Sequence, residues 1–386
     1  MSKTSYATTC SYCGVGCGIT ISKEKDGKIR LQGTPDHPVN QGQLCSKGRN
    51  LNYVLENQSE RLFFPQMRIS KGHELRRVSW DTAIERTTAT FAALIRRFGP
   101  DSVGFYVSGQ CLTEEYYYIN KLVKGFIGTN NLDTNSRLCM SSAVTAYTMA
   151  LGEDLVPPTY EDLDQADTLL VAGANPAWCH PILWRRVEAL KERHPETKII
   201  VIDPRRTQTA SLADLHISII PGTDALLFQV LGKLLIDLNY SDSTFLQHHV
   251  EGFETFKNTL SGINLTQASA ECGSDLETLI QVAHWIGKSK NFMSLWSMGL
   301  NQSPQGVHKN LQLLNLHLLT GQIGKEGSGP FSLTGQPNAM GGREVGGLST
   351  LLAAHRKLSD PSAREEVARF WGVEKINGAP GLTATQ

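Results

Sequence analysis

Two kinds of hydrophobic pattern alternate along this chain, and they divide it. Over the first sixty residues the apolar positions are sparse and turn-bounded. Ile19-Thr-Ile-Ser and Lys28-Ile-Arg-Leu-Gln alternate with the period of short strands, joined by a hairpin signal at Lys25-Asp-Gly. From Trp80 the period lengthens: Ile84, Phe91, Leu94 and Ile95 share one face of a helix that ends near Gly99-Pro100. Ser102-Val-Gly-Phe-Tyr-Val reads as a strand, and Glu114 to Ile127 as a second helix.

From Asp167 onward, short continuous apolar runs alternate with helical stretches. Thr168-Leu-Leu-Val-Ala, Lys198-Ile-Ile-Val-Ile-Asp203 and Leu215-His-Ile-Ser-Ile-Ile read as buried strands, and Phe292-Met-Ser-Leu-Trp as a fourth. Helices are expected over Pro181 to Arg193, Asp224 to Asp237, Gly306 to Thr320 and Pro361 to Trp371. Continuous rather than alternating apolar strands, separated by helices, predict an α/β fold with a doubly wound parallel sheet. Residues 321–347 are dense in glycine and poor in regular signals.

Composition narrows the class. At 386 residues the chain exceeds one average domain, and 40% hydrophobic content suffices for a sizeable core. Lys plus Arg (37) balance Asp plus Glu (37), so no bulk field draws it to nucleic acid or an anionic membrane. No apolar run approaches the roughly 18 residues of a spanning helix. Met1-Ser-Lys-Thr-Ser-Tyr-Ala shows neither a signal core nor a twin-arginine pair, so a soluble cytoplasmic protein is expected.

Chemistry concentrates first in four cysteines, spaced Cys10-x2-Cys13-x3-Cys17-x27-Cys45. Three thiolates within eight residues, closed by a fourth from a later turn, suit a [4Fe–4S] cluster or a zinc ion. Gly14, Gly16 and Gly18 leave room for backbone N–H groups to turn toward cluster sulfurs, which favours iron–sulfur. A disulfide framework fits poorly in a long chain with only eight cysteines. Cys139, in Asn135-Ser-Arg-Leu-Cys-Met, stands at an expected helix start beside Arg137, an environment that favours a thiolate and suits a metal ligand or nucleophile. The same local features are equally compatible with an inert buried cysteine. Cys111, Cys179 and Cys272 lack such surroundings and read as structural.

The strand ends carry the second set of candidates. Leu170-Val-Ala-Gly-Ala-Asn-Pro and Val201-Ile-Asp-Pro-Arg-Arg-Thr place small, polar and basic residues beyond the carboxyl edge of buried strands, where open α/β sheets bind nucleotides. Asp203 is suited to a ribose or guanine, and Arg205 and Thr207 to phosphates. Pro221-Gly-Thr-Asp224 repeats the pattern on the third strand. No segment carries the full G-x-G-x-x-G fingerprint, which argues against an ordinary NAD site. His180, His248 and His249 have no second ligand at metal spacing and read as structural or solvated. Tyr116-Tyr117-Tyr118 reads as packing.

As a set, these segments identify a resemblance. Cys10/Cys13/Cys17/Cys45 with Cys45-Ser-Lys-Gly, Asn135-Ser-Arg-Leu-Cys139-Met, Gly173-Ala-Asn-Pro, Asp203-Pro-Arg-Arg-Thr, Ser297-Met-Gly-Leu-Asn-Gln302 and Gly335-Gln-Pro-Asn-Ala-Met-Gly-Gly-Arg-Glu-Val-Gly-Gly347 follow one another in family order. The chain resembles the catalytic subunits of molybdenum bis-molybdopterin-guanine-dinucleotide oxidoreductases, most closely the bacterial assimilatory nitrate reductases. The resemblance implies that Cys10, Cys13, Cys17 and Cys45 ligate a [4Fe–4S] cluster. It implies that Lys47 lies between that cluster and the nearer pterin, and that Cys139 ligates molybdenum. Gln110, Asn135, Gly173, Asn175, Pro176, Asp203, Arg205, Thr207, Gly222, Asp224, Met298, Gln302 and Asn338 fall where the family holds its two guanine dinucleotides. Met140 and Arg343 fall at the metal.

The implied organisation is a β-rich iron–sulfur module over 1–60, a discontinuous α/β unit over 61–150 and 321–386, and a Rossmann-like dinucleotide-binding unit over 151–320. Members of that family are about twice as long and close over the pterins with a C-terminal β-rich domain. That domain is expected to be absent here, and the chain reads as a fragment or truncated product. The implied reaction is reduction of nitrate to nitrite by oxygen-atom transfer. Electrons would come from ferredoxin, flavodoxin or an NADH-oxidising partner. Formate oxidation is the alternative on the same fold, although Met140 follows Cys139 where formate dehydrogenases usually carry histidine. A non-catalytic electron-relay subunit is a third reading, which the presence of Cys139, Lys47 and the dinucleotide segments disfavours.

Overall fold

The computed structural model describes residues 5–24 and 27–386. Its framework is a five-stranded, wholly parallel sheet. The short strands before it are β1 (Ser5–Thr9), β2 (Gly18–Lys23), β3 (Ile29–Gly33), β4 (Gln66–Met67), β5 (Arg76–Arg77), β6 (Phe105–Val107) and β7 (Leu132–Thr134). The central sheet comprises β8 (Thr168–Ala172), β9 (Lys198–Ile202), β10 (Leu215–Ile217), β11 (Phe292–Trp296) and β12 (Gly329–Ser332), in the spatial order β10-β9-β8-β11-β12. Chain order therefore reverses between β8 and β11, the switch point where open α/β sheets leave a crevice beyond their carboxyl ends. Every residue of β8 and of β11 is buried, because helices cover both faces and no edge is wet.

Two hydrophobic layers flank this sheet. On one side Ile200, Ile202, Phe228, Leu231, Val282 and Trp296 pack with the helices Asp224–Asp237, Leu276–Lys288 and Gly306–Leu319. On the other, Leu169, Val171, Ile199 and Val201 pack with the helix Pro181–Arg193 through Trp184 and Val187. The second layer extends without a break to Cys10, Val15, Cys17 and Ile19, so the cysteine module shares its core with the sheet. That module is a three-stranded antiparallel sheet, β1-β2-β3. The turn expected at Lys25-Asp-Gly falls at residues 25 and 26, outside the described residues, as do residues 1–4 of the N-terminal stretch.

Several expectations change. The glycine-dense 321–347 segment contributes β12, which pairs with β11, and a short helix, Ala339–Glu344. The helix expected over Glu114 to Ile127 is α-helical over Thr113–Asn120 and continues as a π-helix over Lys121–Ile127. Lys124 lies in that π turn, fully buried, with its Nζ donating to the carbonyls of Gly346, Leu348 and Leu351. The wider turn aims one side chain at three acceptors of a loop over two hundred residues away. The helix Trp80–Phe98 forms as expected, capped by Ser79, yet none of its residues is buried. Ile84 and Leu94 of the expected core face are 58% and 39% exposed, and Phe91 stacks on Phe105.

Candidate functional site

Four cysteines from two segments line one small apolar cavity, with Val15, Leu44 and Ile182 beside them. The first segment closes on itself through the Cys10 N–H, which donates to the Cys17 carbonyl at 2.8 Å. The second is fixed by Asn40, whose Nδ2 donates to the Gln43 carbonyl and whose Oδ1 accepts from Gly18 N–H. Burial pushes the Cys10, Cys13 and Cys17 thiols up, the last to about 12, and each is raised further by neighbouring cysteines. Such a set is unfavourable as free thiolates and becomes favourable around a cationic inorganic group. Among the described residues no three Cys, His, Asp or Glu side chains are gathered tightly enough for a single ion. The four cysteines share one cavity, and this all-thiol donor set fits an iron–sulfur cluster. Lys47 follows Cys45 on the short helix Ser46–Arg49, exposed, with its charge lowering the Cys10 and Cys13 thiols.

The second site is a cleft of about 620 Å³ beyond the carboxyl ends of β8, β9 and β11. Gly173, Asn175, Asp203, Arg205, Gly222 and Asp224, expected from the strand-end pattern, line it together with Gln302, expected from the resemblance. Its size suits a nucleotide-bearing ligand. Asp203 Oδ1 accepts from the Arg205 amide at 2.8 Å, which turns the chain sharply after β9 and leaves Arg205 exposed at the cleft. Thr207, also expected here, is buried and not part of the cleft lining, and among the described residues its Oγ1 finds no partner. Pro176 starts the short helix after Asn175, whose Oδ1 accepts from Thr209 Oγ1. Ser303, Pro304 and Lys309 line the cleft as well and escaped the sequence reading. Lys309 forms a buried ion pair with Asp224 at 2.6 Å, 85 residues apart in sequence, and nothing in the local pattern of either residue announces it.

Cys139 ends the short helix Ser136–Cys139 and precedes the helix Ser141–Leu151. Its expected partner Arg137 is engaged elsewhere, with Nε donating to Asp133 at 3.0 Å. Burial pushes the Cys139 thiol up, while the Gly335 amide and then the Arg343 charge pull it down. Arg343, rather than Arg137, therefore supplies the positive field. It is 5% exposed, donating from Nε and Nη2 to the two carboxylate oxygens of Asp154, while its buried Nη1 has no partner among the described residues. Met140 is turned into the core, 2% exposed, with Asn301 Nδ2 donating to its sulfur.

Gln302 ties the cleft to this turn: its Nε2 donates to the Leu138 carbonyl at 3.0 Å. Met298 is partly buried against the core at the end of β11. Asn135 Oδ1 accepts from Gly109 N–H, and Asn338 N–H donates to the Gly109 carbonyl. Gln110, next in sequence, is exposed. The expected residues thus fall into three connected groups: the cysteine cavity, the strand-end cleft, and the Cys139 turn between Gln302 and Gly109.

Known proteins place this arrangement. The molybdopterin oxidoreductase Fe4S4 domain matches residues 3–57, and the molybdopterin oxidoreductase family matches residues 61–380. A nitrate reductase of Synechocystis sp. is 44% identical across 98% of this chain and 54% of its own length. A periplasmic nitrate reductase of Desulfovibrio desulfuricans is 43% identical across 96% of this chain and 50% of its own. The chain spans about half the length of these curated relatives. Acetylene hydratase from Pelobacter acetylenicus superposes with a TM-score of 0.74 over 82% of this chain and 43% of that one, at 21% identity, a likeness of fold. Among the described residues no helix is long and apolar enough to cross a membrane. The chain belongs to the molybdopterin oxidoreductase family, whose domains carry a [4Fe–4S] cluster and molybdopterin.

Proposed function

We propose that this chain provides the cluster-binding and dinucleotide-binding part of a molybdenum nitrate reductase. When bound, the bis-molybdopterin guanine dinucleotide supplies oxygen-atom transfer from nitrate at molybdenum, with reducing electrons entering through the [4Fe–4S] cluster. One observation carries the reading: the buried, permanently charged Arg343, whose field reaches Cys139, has an Nη1 without a partner among the described residues. A guanidinium already fixed by Asp154 keeps a directed donor free for an anion, and a dry setting strengthens its pull.

In this reading Cys10, Cys13, Cys17 and Cys45 hold the cluster and Cys139 provides the protein thiolate to molybdenum. Lys47 stands at the cluster's margin, where its charge favours arrival of an electron. Gly173, Asn175, Pro176, Asp203, Arg205, Thr207, Gly222, Asp224, Met298 and Gln302 hold one dinucleotide arm, while Gln110, Asn135 and Asn338 hold the pterins near the Cys139 turn. Met140 shapes the pocket by packing behind Cys139. The division into units 1–60, 61–150 with 321–386, and 151–320 belongs to the same reading, with β12 interlocking the last two. A cytoplasmic setting with ferredoxin, flavodoxin or an NADH-oxidising donor accompanies the assimilatory form.

Formate oxidation also begins from an anion, and Met140, where formate dehydrogenases usually place histidine, weighs against it. An electron-relay scaffold would leave Arg343, Cys139 and the cleft without work. The test is nitrite production by the protein of the complete reading frame, driven by a reduced viologen dye, with iron and molybdenum measured on the same sample. Formate-dependent dye reduction without nitrite production would favour the alternative, and iron without molybdenum would favour a scaffold.

A further inference from the structure

Residues 333–338 touch both metal-site segments. At one end the Gly14 amide, between Cys13 and Cys17, donates to the Gly335 carbonyl at 3.0 Å. The approach is so close that a Cβ on Gly14 would lie 2.4 Å from the Thr334 carbonyl oxygen. The same residue serves the other side too, its amide being a group that lowers the Cys139 thiol. At the other end the Asn338 N–H donates to Gly109, whose own N–H donates to Asn135 Oδ1 at the head of the Cys139 turn.

What holds this segment is His180. Its ring is 3% exposed, and its Nε2 stands 2.8 Å from the Thr334 carbonyl. A carbonyl can only accept, so Nε2 carries the proton. Ser297 Oγ donates to the Leu333 carbonyl one residue earlier, which anchors the segment to the end of β11. Tyr160 Oη donates to the Val15 carbonyl and steadies the cysteine loop from its far side.

We propose that residues 333–338 act as a strap that sets the spacing between the cysteine cavity and the Cys139 turn, with His180 as the positioning residue that fixes the strap at Thr334. This rests on the assignment of those two places to the cluster and to molybdenum. Hydrogen bonds around a metal centre orient its ligands and shift its potential, so a loosened strap should be read by both centres without loss of either.

The experiment uses the holoprotein of the complete reading frame. In His180→Ala, amide exchange at Gly14 and Gly335 should accelerate about tenfold, the effect of losing one such hydrogen bond, while β8 and β9 keep wild-type protection. Iron and molybdenum contents should hold, the cluster midpoint potential should shift, and His180→Gln, whose amide can donate to Thr334, should restore most of both readouts. A metal-replete His180→Ala protein with wild-type exchange at Gly14 and a wild-type potential would overturn the proposal. Should His180→Ala fail to accumulate, wild-type exchange decides: Gly14 must be protected well beyond its exposed neighbour Ser11, and free exchange there overturns the strap. A wild-type protein with iron but no molybdenum would instead overturn the functional reading, and Gly14 exchange would still decide the strap.

Discussion

Gly173 and Gly299 meet across the switch point of the sheet: the Gly299 amide donates to the Gly173 carbonyl at 2.9 Å, and a Cβ on Gly299 would stand 2.5 Å from the Gly173 Cα. The contact joins the ends of neighbouring strands β8 and β11 and forms the floor of the 620 Å³ cleft. Backbone opposes backbone here, so no side-chain rotation relieves an added methyl group. Gly299→Ala should cost about 1–3 kcal/mol of stability, in the range of overpacked cores. Urea unfolding measures it, and an unchanged midpoint would show that the strand ends part easily.

Arg343 and Asp154 form a pair whose disruption has two separable consequences. Arg343→Gln leaves the Asp154 carboxylate with only the His355 ring nitrogen 3.6 Å away, and the loss of the buried pair should cost about 3–5 kcal/mol. The double variant Arg343→Gln/Asp154→Asn should recover most of that stability. Nitrate reduction should not recover with it, because the donor at Nη1 is gone in both. Thermal melting and KM for nitrate, measured on all three proteins, check the separation. Recovery of both together would reduce Arg343 to a structural role.

His317 supplies a pH test of the fold. Its Nδ1 faces the Gln322 carbonyl and its Nε2 stands 2.7 Å from Ser294 Oγ, so the ring is held neutral in a dry core. Burial pulls its pKa from the usual 6.5 down to about 3. Between these values the unfolded chain binds more protons than the folded one, so stability is full above pH 6.5 and falls as pH drops toward 3. The urea midpoint should decline across that window. His317→Gln should be less stable at pH 7 but show a shallower decline, and an equal slope would exclude His317 as its source.

The sequence and the structure agree where burial is continuous and differ where contacts are long-range. Leu169–Ala172 and Ile199–Ile202 were legible as strands because a parallel sheet covered on both faces needs unbroken apolar runs. Gly329–Ser332 was not, because a Gly-Pro-Phe-Ser strand lacks β-branched residues and its proline suits only an edge. The helices over 243–288 carry a sequence signal of their own: Asp242, Asn264 and Asp275 each cap a helix by accepting an amide three residues on. Cys139 was legible as a candidate, but its electrostatic partner was not, since Arg343 reaches it only through the fold. Gly14 was read as room for amides near sulfur, and the approach of Thr334 gives its lack of a side chain a second reason.

Lys47 should matter for rate more than for assembly. Burial raises the Cys10 and Cys13 thiols and depresses His180; the Lys47 ammonium opposes the first and adds to the second, so its field reaches both the cysteine cavity and the strap. Charge acts more strongly there than in bulk water. Lys47→Met should retain iron and molybdenum while slowing viologen-driven nitrite production by about tenfold or more, the equivalent of ~1.4 kcal/mol in the barrier. Normal turnover in a metal-replete variant would remove the residue from the electron route.

The most direct measurement is made on Cys139→Ser in the protein of the complete reading frame, with metal content, Mo(V) resonance and nitrite production determined on one preparation. The account predicts unchanged iron, a shifted resonance, and activity lower by about two orders of magnitude or more, since a hard hydroxyl replaces a soft thiolate at nearly constant volume. A thiol serving only to pack would behave otherwise, losing about 1–3 kcal/mol of stability with its chemistry intact. A molybdenum-loaded Cys139→Ser protein with wild-type resonance and full nitrate reduction would contradict the account.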